Sequence, residues 1–338
     1  MNNLSLPGTN KRFRSELLIL VPLVLSAYTH LWNVTGFPSI HIDEAHYLRR
    51  VMLVIYGMGP QESASNGYPR TYDHPYFGQL FLGGILKLIG YPNFYYNGIT
   101  LHSVEILHLI PRLVMGILAV LDTYLLYKIT QIRYDRKVAL IAAVLFAVMP
   151  MTWILRRVYL DTLLMPFLLS SFLFALYVGA AGKTVYLNNL NKKVLIFLSG
   201  LFLGLAIYTK IPSFTFIPLI GCIVYFDSKS LRSLTMWLVP VFLVPLLWPL
   251  YAVSIGQGDL WTQWVLWQTE RNKPLELSLI SLFQMDPVIT VGGIAGITFV
   301  CLRKDFFPLG WVAPFLVFSY FIGWVQYFHM IVLFPAFC

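Results

Sequence analysis

Two short segments of this 338-residue chain place carboxylates beside imidazoles: His41-Ile42-Asp43-Glu44-Ala45-His46-Tyr47 and Tyr72-Asp73-His74-Pro75. A carboxylate at a membrane surface is a candidate general base for an incoming hydroxyl. The other half of a reactive set is basic and lies beside apolar runs. Arg112 stands in Pro111-Arg112-Leu113, Arg156 and Arg157 precede Val158-Tyr159-Leu160-Asp161, and Lys210 closes Tyr208-Thr209-Lys210. Charge at membrane depth is expensive and tends to face a cavity. Arg112, Arg157 and Lys210 map to the outer leaflet, where they can converge on a phosphate.

Each feature also has a plainer explanation, and both stay open on the sequence. Asp43 can be a helix N-cap with Glu44 complementing the dipole. Asp73 can cap the next helix, with Pro75 in its first turn. Arg156 and Lys87 can snorkel to the headgroups. Asp122, deep in an apolar run, reads as a helix–helix hydrogen bond. Trp261, Trp264 and Trp267 are explained more simply as an interfacial aromatic belt than as a groove for a lipid substrate.

The elements that must position these residues are membrane helices. The chain is 58% hydrophobic and only 12% charged, with a mean hydropathy of +0.70. Soluble domains carry about 25% charge, so a soluble enzyme, a disordered chain and a secreted disulfide scaffold are excluded. The net charge of +9 is spread along the chain, and nucleic acid is not an expected partner. Cys222, Cys301 and Cys338 lie far apart in apolar runs and form no metal or disulfide pattern.

Apolar runs long enough to span, or nearly so, fall at 16–32, 109–128, 138–153, 162–181, 194–209, 212–226, 234–253, 287–302 and 306–324, with a last one starting at 325. The first follows Lys11, Arg12 and Arg14 and reads as a retained helix, since no small-residue cleavage site follows it. The stretch 75–90 is short and contains Lys87; treating it as interfacial puts 14 of the 24 basic residues inside. That leaves the inside at net +10 and the remainder at −1, as the positive-inside rule requires. The N-terminus is then cytoplasmic, 33–108 is a large first outer loop, and 254–286 is a second outer segment. In the first loop, Ala45, Leu48, Met52 and Ile55 form the apolar face of an amphipathic surface helix with the charges opposite. Residues 1–338 read as one membrane domain. The chain stops within an apolar run at Cys338, so an incomplete final span is expected.

The segments IDEAHY (42–47), YDHPYFGQL (72–80), PRLVMGIL (111–118), RRVYLDTLL (156–164), GLAIYTKIP (204–212) and QYFHMIVLFPA (326–336) together resemble the GT-C membrane glycosyltransferases. They are most similar to the dolichyl-phosphate-mannose-dependent protein O-mannosyltransferases, with bacterial lipid A aminoarabinose transferases as further relatives. The resemblance implies an all-α polytopic fold: a GT-C-type bundle of about nine to ten transmembrane helices, with interfacial helices in the first outer loop. It implies transfer of a mannose-like hexose, with inversion, from a polyprenyl- or dolichyl-phosphate donor to a hydroxyl of a protein, glycan or lipid acceptor. Asp43 and Glu44 then take the catalytic positions. His46, Asp73, His74, Asp161 and His329 organise the site, and Arg112, Arg157 and Lys210 bind the donor phosphate. Two departures stand out. Tyr76 replaces the second proline of the usual His-Pro-Pro, and the large lumenal domain of eukaryotic members is missing, which leaves the acceptor open. The expected location is a prokaryotic plasma membrane or the endoplasmic reticulum. A divalent metal among Asp43, Asp73 and His74 is chemically allowed, but no spacing demands one.

Two other classes fit a many-spanned chain. A solute transporter places its polar residues near the midplane, in repeated halves with broken helices, and neither feature is evident. A non-catalytic assembly subunit predicts that Asp43 and Arg157 do not share a cavity.

Overall fold

A computed structural model describes residues 17–60, 71–91, 101–180, 191–271, 274–322 and 325–338. These residues are helical throughout, with no strand among them. Helices α1 (Leu20–Leu31), α2 (Ile42–Ile55) and α3 (Phe77–Leu88) precede the long α4 (Leu101–Arg133). Next come α5 (Arg136–Val148), a single turn α6 (Pro150–Ile154), α7 (Leu160–Ala180) and α8 (Lys192–Thr209). A 3₁₀ turn at Ile211–Phe216 leads into α9 (Ile217–Ser228) and α10 (Leu231–Ser254). The last third holds α11 (Gly258–Glu270), α12 (Leu275–Met285), α13 (Pro287–Leu302) and α14 (Phe307–Ile322). A second 3₁₀ segment at Tyr327–Leu333 and the turn α15 (Phe334–Phe337) follow.

The chain is an integral membrane protein. Among the described residues, five helices are long and apolar enough to cross a bilayer: Val104–Arg133, α7, α8, Ile211–Ser228 and α10. Counting α12 and α13 as one span broken by a 113° bend makes six. The apolar runs suggested nine to ten. The difference arises where polar or helix-breaking residues cut the runs. Pro150 divides the third run into α5 and α6, and the first and ninth form helices of only 12 and 16 residues. Asp286 caps α13 through its side chain, and Pro287 starts it, which fixes the bend at that point. Residues 75–90 behave as expected: α3 has 12 residues, about 18 Å of rise, too short for the roughly 30 Å of a bilayer core.

α7 is the central element, buried along most of its length, and it packs against α4 and α8. α8 in turn lies so close to α10 that a Cβ on Gly200 would sit 2.3 Å from the Trp237 carbonyl oxygen, and one on Gly204 2.5 Å from that of Pro240. Ser171 and Ser199 exchange hydroxyl-to-carbonyl bonds of 2.7 and 2.9 Å between α7 and α8, and Trp237 Nε1 donates to Ser199 Oγ. Small residues and interhelical hydroxyls of this kind suit association where no water drives burial.

One buried ion pair fastens α2 to this bundle. Glu44 and Arg112 are both fully buried, with Arg112 Nε and Nη2 donating to the two carboxylate oxygens at 3.0 and 2.6 Å. Arg112 Nη1 also donates to the carbonyls of Val34 and Pro38. Glu44 further accepts the backbone N–H groups of Val158 and His41, so α2, α4, the 33–41 connection and the turn before α7 meet on one carboxylate. Arg156, read above as a candidate for snorkelling, is also fully buried. It donates to the carbonyls of Thr29, Trp32 and Phe37 and thereby closes the C-terminal end of α1. Lys87 is exposed, as snorkelling requires.

This anchoring rotates α2 relative to the expectation. Its buried face carries Glu44, Tyr47, Leu48, Val51 and Ile55, and Arg50 is buried too, whereas Ala45 is exposed. A periodicity count assigns charges to solvent, but paired charges can be interior. Replacing Arg112 by Met leaves Glu44 buried without its partner and should destabilise the detergent-solubilised protein by about 3–5 kcal/mol. Combining it with Glu44→Gln should recover part of that loss in the same unfolding measurement.

Candidate active site

A cavity of about 630 Å³ opens between the two segments read as outer loops and the bundle. Its polar wall begins on α2. The helix is capped by His41, whose Nδ1 accepts the Asp43 N–H while Glu44 accepts the His41 N–H. Asp43 is therefore not the cap, and its carboxylate is a partly exposed group that lines the cavity, 3.8 Å from His41 Nδ1. His46, Tyr47 and Arg50 follow it at i+3, i+4 and i+7, one face of the helix.

The second acidic segment arrives just before α3. α3 begins without a side-chain cap, so Asp73 is not spent on capping either. Arg50 contacts it with both terminal nitrogens, Nη1 to Oδ1 at 2.9 Å and Nη2 to Oδ2 at 3.2 Å, and also donates to Thr71 Oγ1. Burial by itself would raise the Asp73 pKa; the charge and hydrogen bond of Arg50, with help from His74, outweigh it and hold it down at about 2. His74 lies 4.0 Å from Asp73 Oδ2 and has its pKa pushed down to about 3. The main cause is burial, opposed by Asp73 and reinforced by Lys210, Arg50 and Arg271. At neutral pH the pair is a carboxylate beside a neutral imidazole.

Asp161, in the first turn of α7, and Lys210, at the C-terminal end of α8, form a buried ion pair on the facing wall. Lys210 is the residue at which α8 gives way to the 3₁₀ turn, with an extended backbone that carries its amine to Asp161. The Phe328 ring lies 5.4 Å from that amine. His329 and Gln326 line the cavity from the last segment, where the Gln326 N–H donates to His329 Nδ1. Beyond them the lining is apolar: Phe315, Phe318, Ile322, Val325 and Val332.

The structure thus brings together Asp43, His46, Asp73, His74, Asp161, Lys210 and His329. It does not bring Glu44, Arg112 or Arg157 to the cavity. Glu44 and Arg112 are consumed by each other, and Arg157 donates from Nε and Nη2 to the Ser39 carbonyl, 3.8 Å from Glu44. As the subunit reading expects, Asp43 and Arg157 do not line one cavity, although Arg157 is tied to the residue next to Asp43. Sequence reasoning missed Arg50, Thr71, Gln268 and Arg271, which do line it. A signal existed for Arg50, which stands seven residues after Asp43 on the same helical face. Of the three tryptophans, Trp264 and Trp267 wall the cavity, and Trp261 packs edge-on against Trp248 at 5.4 Å. The aromatic belt is not the whole account of them. Asp122 is buried, but no hydrogen bond reaches its Oδ1 from the described residues, so the expected helix–helix bond is not formed there. No group of three or more His, Cys, Asp or Glu comes together as a metal site among the described residues. Arg50 occupies the Asp73 carboxylate instead, and the donor set does not fit a resident metal there.

The fold, an all-helical membrane bundle with a polar cavity, is GT-C-like. Residues 103–252 match the family model described as dolichyl-phosphate-mannose-protein mannosyltransferase, a stretch that includes Arg112, Arg157, Asp161 and Lys210. The archaeal oligosaccharyltransferase AglB from Archaeoglobus fulgidus, solved with an inhibitory peptide and a dolichol-phosphate, superposes with a TM-score of 0.58 at 13% identity. That match covers 98% of this chain and 50% of the other. The Archaeoglobus fulgidus oligosaccharyltransferase tethered to an acceptor peptide with an NVT sequon gives 0.58 at 13% identity, covering 97% and 49%. The chain thus spans about half the length of these structures. No curated protein matches the sequence significantly.

The cavity charges have a consequence for pH. His74 has a folded-state pKa below its ordinary value, so the unfolded chain takes up that proton first as pH falls. Its contribution to stability is present above about pH 6.5 and is lost down to about pH 3. Asp73 adds a further loss below its ordinary value of 3.8, down to about 2. Thermal unfolding in detergent between pH 7 and 4.5 should therefore show falling stability, with a shallower slope for His74→Gln than for the wild type.

Proposed function

We propose that this chain transfers a mannose-like hexose from a polyprenyl-phosphate donor to a hydroxyl on the outer side of the membrane, with inversion at the anomeric carbon. The observation that carries the reading is one cavity in which a carboxylate, two ion pairs and an apolar wall meet, assembled from separate segments of the chain. The family match over 103–252 supports the donor class.

In this reading the lipid lies along Phe315, Phe318, Ile322 and Val332, and its phosphate reaches the polar end beside Lys210. Asp43 accepts the proton of the acceptor hydroxyl, whose oxygen attacks the anomeric carbon as the bond to the phosphate oxygen breaks. Lys210 stabilises the charge that develops on the departing lipid phosphate, and Asp161 holds its amine in place. Arg50 fixes Asp73, and the neutral His74 beside it offers a hydrogen bond without adding charge. Glu44 and Arg112 act as positioning residues by setting the rotation of α2. The acceptor is a protein, glycan or lipid hydroxyl; the bound peptide of the archaeal oligosaccharyltransferase gives the peptide option its support. The cavity then faces the exterior or the endoplasmic reticulum lumen, with the N-terminus in the cytoplasm.

Asp43→Asn keeps the shape and removes the base. Purified variant protein should transfer sugar from a polyprenyl-phosphate donor about 10²–10⁴-fold more slowly, with little change in donor KM. Transfer at the wild-type rate would rule Asp43 out as the base.

A further inference from the structure

His41 is not in the cavity wall, yet its side chain is bound to Asp43. Its Nδ1 accepts the Asp43 backbone N–H at 3.3 Å, while its own N–H donates to Glu44 Oε2 at 3.1 Å. A backbone N–H only donates, so Nδ1 is unprotonated and the ring proton sits on Nε2. The same Nδ1 lies 3.8 Å from Asp43 Oδ2, the one contact of that carboxylate within ion-pair range among the described residues. An unprotonated nitrogen has no hydrogen to give it. The neighbour best placed to neutralise Asp43 is therefore held in the form that leaves the carboxylate able to accept a proton.

Two rings hold the imidazole in this orientation. It meets Tyr159 edge-on, 5.7 Å between centroids at 88°, and Phe328 at 6.4 Å and 65°. Tyr159 and Phe328 pack on each other at 4.8 Å, and both are buried. One comes from the turn before α7 and the other from the last 3₁₀ segment, so separate parts of the chain fix one side chain. The backbone is fixed as well, because Arg157 donates twice to the Ser39 carbonyl just before it. Phe328 also lies 5.4 Å from the Lys210 amine, so the ring that seats His41 borders the cation on the facing wall.

We infer that His41 is the positioning residue of Asp43. Through Nδ1 it fixes the start of α2 and withholds a proton from the carboxylate, and Tyr159 and Phe328 set its ring. The inference rests on the proposed reading for Asp43 as the base, but the placement of Asp43 is measurable without turnover.

Two substitutions separate the parts of the imidazole. His41→Asn keeps an acceptor for the Asp43 N–H and gives up the ring, whereas His41→Phe keeps a ring and gives up the acceptor. The first readout treats purified full-length protein in nanodiscs with a water-soluble carbodiimide and glycine ethyl ester, and maps the labelled carboxylates by mass spectrometry. His41→Phe should speed Asp43 labelling about fivefold or more, and His41→Asn about twofold at most. Asp73, held by Arg50, should label at the wild-type rate in both. The second readout is sugar transfer from a polyprenyl-phosphate donor. His41→Phe should lower kcat about tenfold or more at unchanged donor KM, and His41→Asn should recover most of that loss. Unaltered Asp43 labelling in His41→Phe overturns the inference whatever the kinetics, as does an effect of His41→Asn equal to that of His41→Phe. Faster labelling of Asp73 alongside Asp43 would make His41 merely structural and also overturn it. Altered Asp43 labelling with unaltered kcat upholds the placement and removes Asp43 as the base. If the wild type transfers no sugar, the proposed reaction fails, and the labelling pattern alone upholds or overturns the role of His41.

Discussion

The Glu44 carboxylate is the point on which the geometry of the cavity depends. It is fully buried and accepts hydrogen bonds from Arg112 and from the backbone of His41 and Val158. A buried carboxylate is tolerated only with its full set of partners, so the four pieces of chain that supply and frame them cannot move independently. Adjacent residues on a helix point about 100° apart. Turning Glu44 inward therefore turns Asp43 toward the cavity and carries His46 and Arg50 with it. The pair contributes position, and the chemistry belongs to its neighbour in the sequence.

Two stripes face each other across the cavity. α2 offers Asp43, His46, Tyr47 and Arg50, and α11 with the residue beyond it offers Trp264, Trp267, Gln268 and Arg271. They are linked through the 71–74 segment. Arg50 holds Asp73 from below, while Gln268 holds the Asp73 carbonyl and Gln257 accepts from the Tyr72 hydroxyl at 2.6 Å. α11 is thus tied near both ends to the segment that precedes α3. Asp161 and Lys210 close a third side at a place where α8 breaks into a 3₁₀ turn. The Arg50–Asp73 and Asp161–Lys210 pairs each join two different elements, which keeps the site fixed in a region of low dielectric.

Much of the fold was legible in the sequence, because the composition excludes water as the principal solvent and the motifs fall in a recognisable order. The short stretch with Lys87 was expected not to span, and the 12-residue α3 is too short to do so. Among the described residues fewer helices are long enough to span than there are apolar runs, since hydropathy sums through Pro150 while the helix breaks there. Of the ten site residues expected, seven line the cavity. The three that do not, Glu44, Arg112 and Arg157, are the kind that motif spacing cannot sort: a charge beside an apolar run looks the same whether it faces a cavity or another charge.

Residue type and local spacing were enough to determine that this chain lives in a membrane and that its two acidic segments sit at or just before the starts of short helices. These are short-range properties, set by transfer energy and by the 3.6-residue turn. Only the tertiary structure decided which charges neutralise one another. Arg112 meets Glu44 across 68 positions and Lys210 meets Asp161 across 49, while the Gln268 that orients Arg271 reaches Asp73 across 195. An ion pair is a relation between elements, and no periodicity within one element encodes its partner.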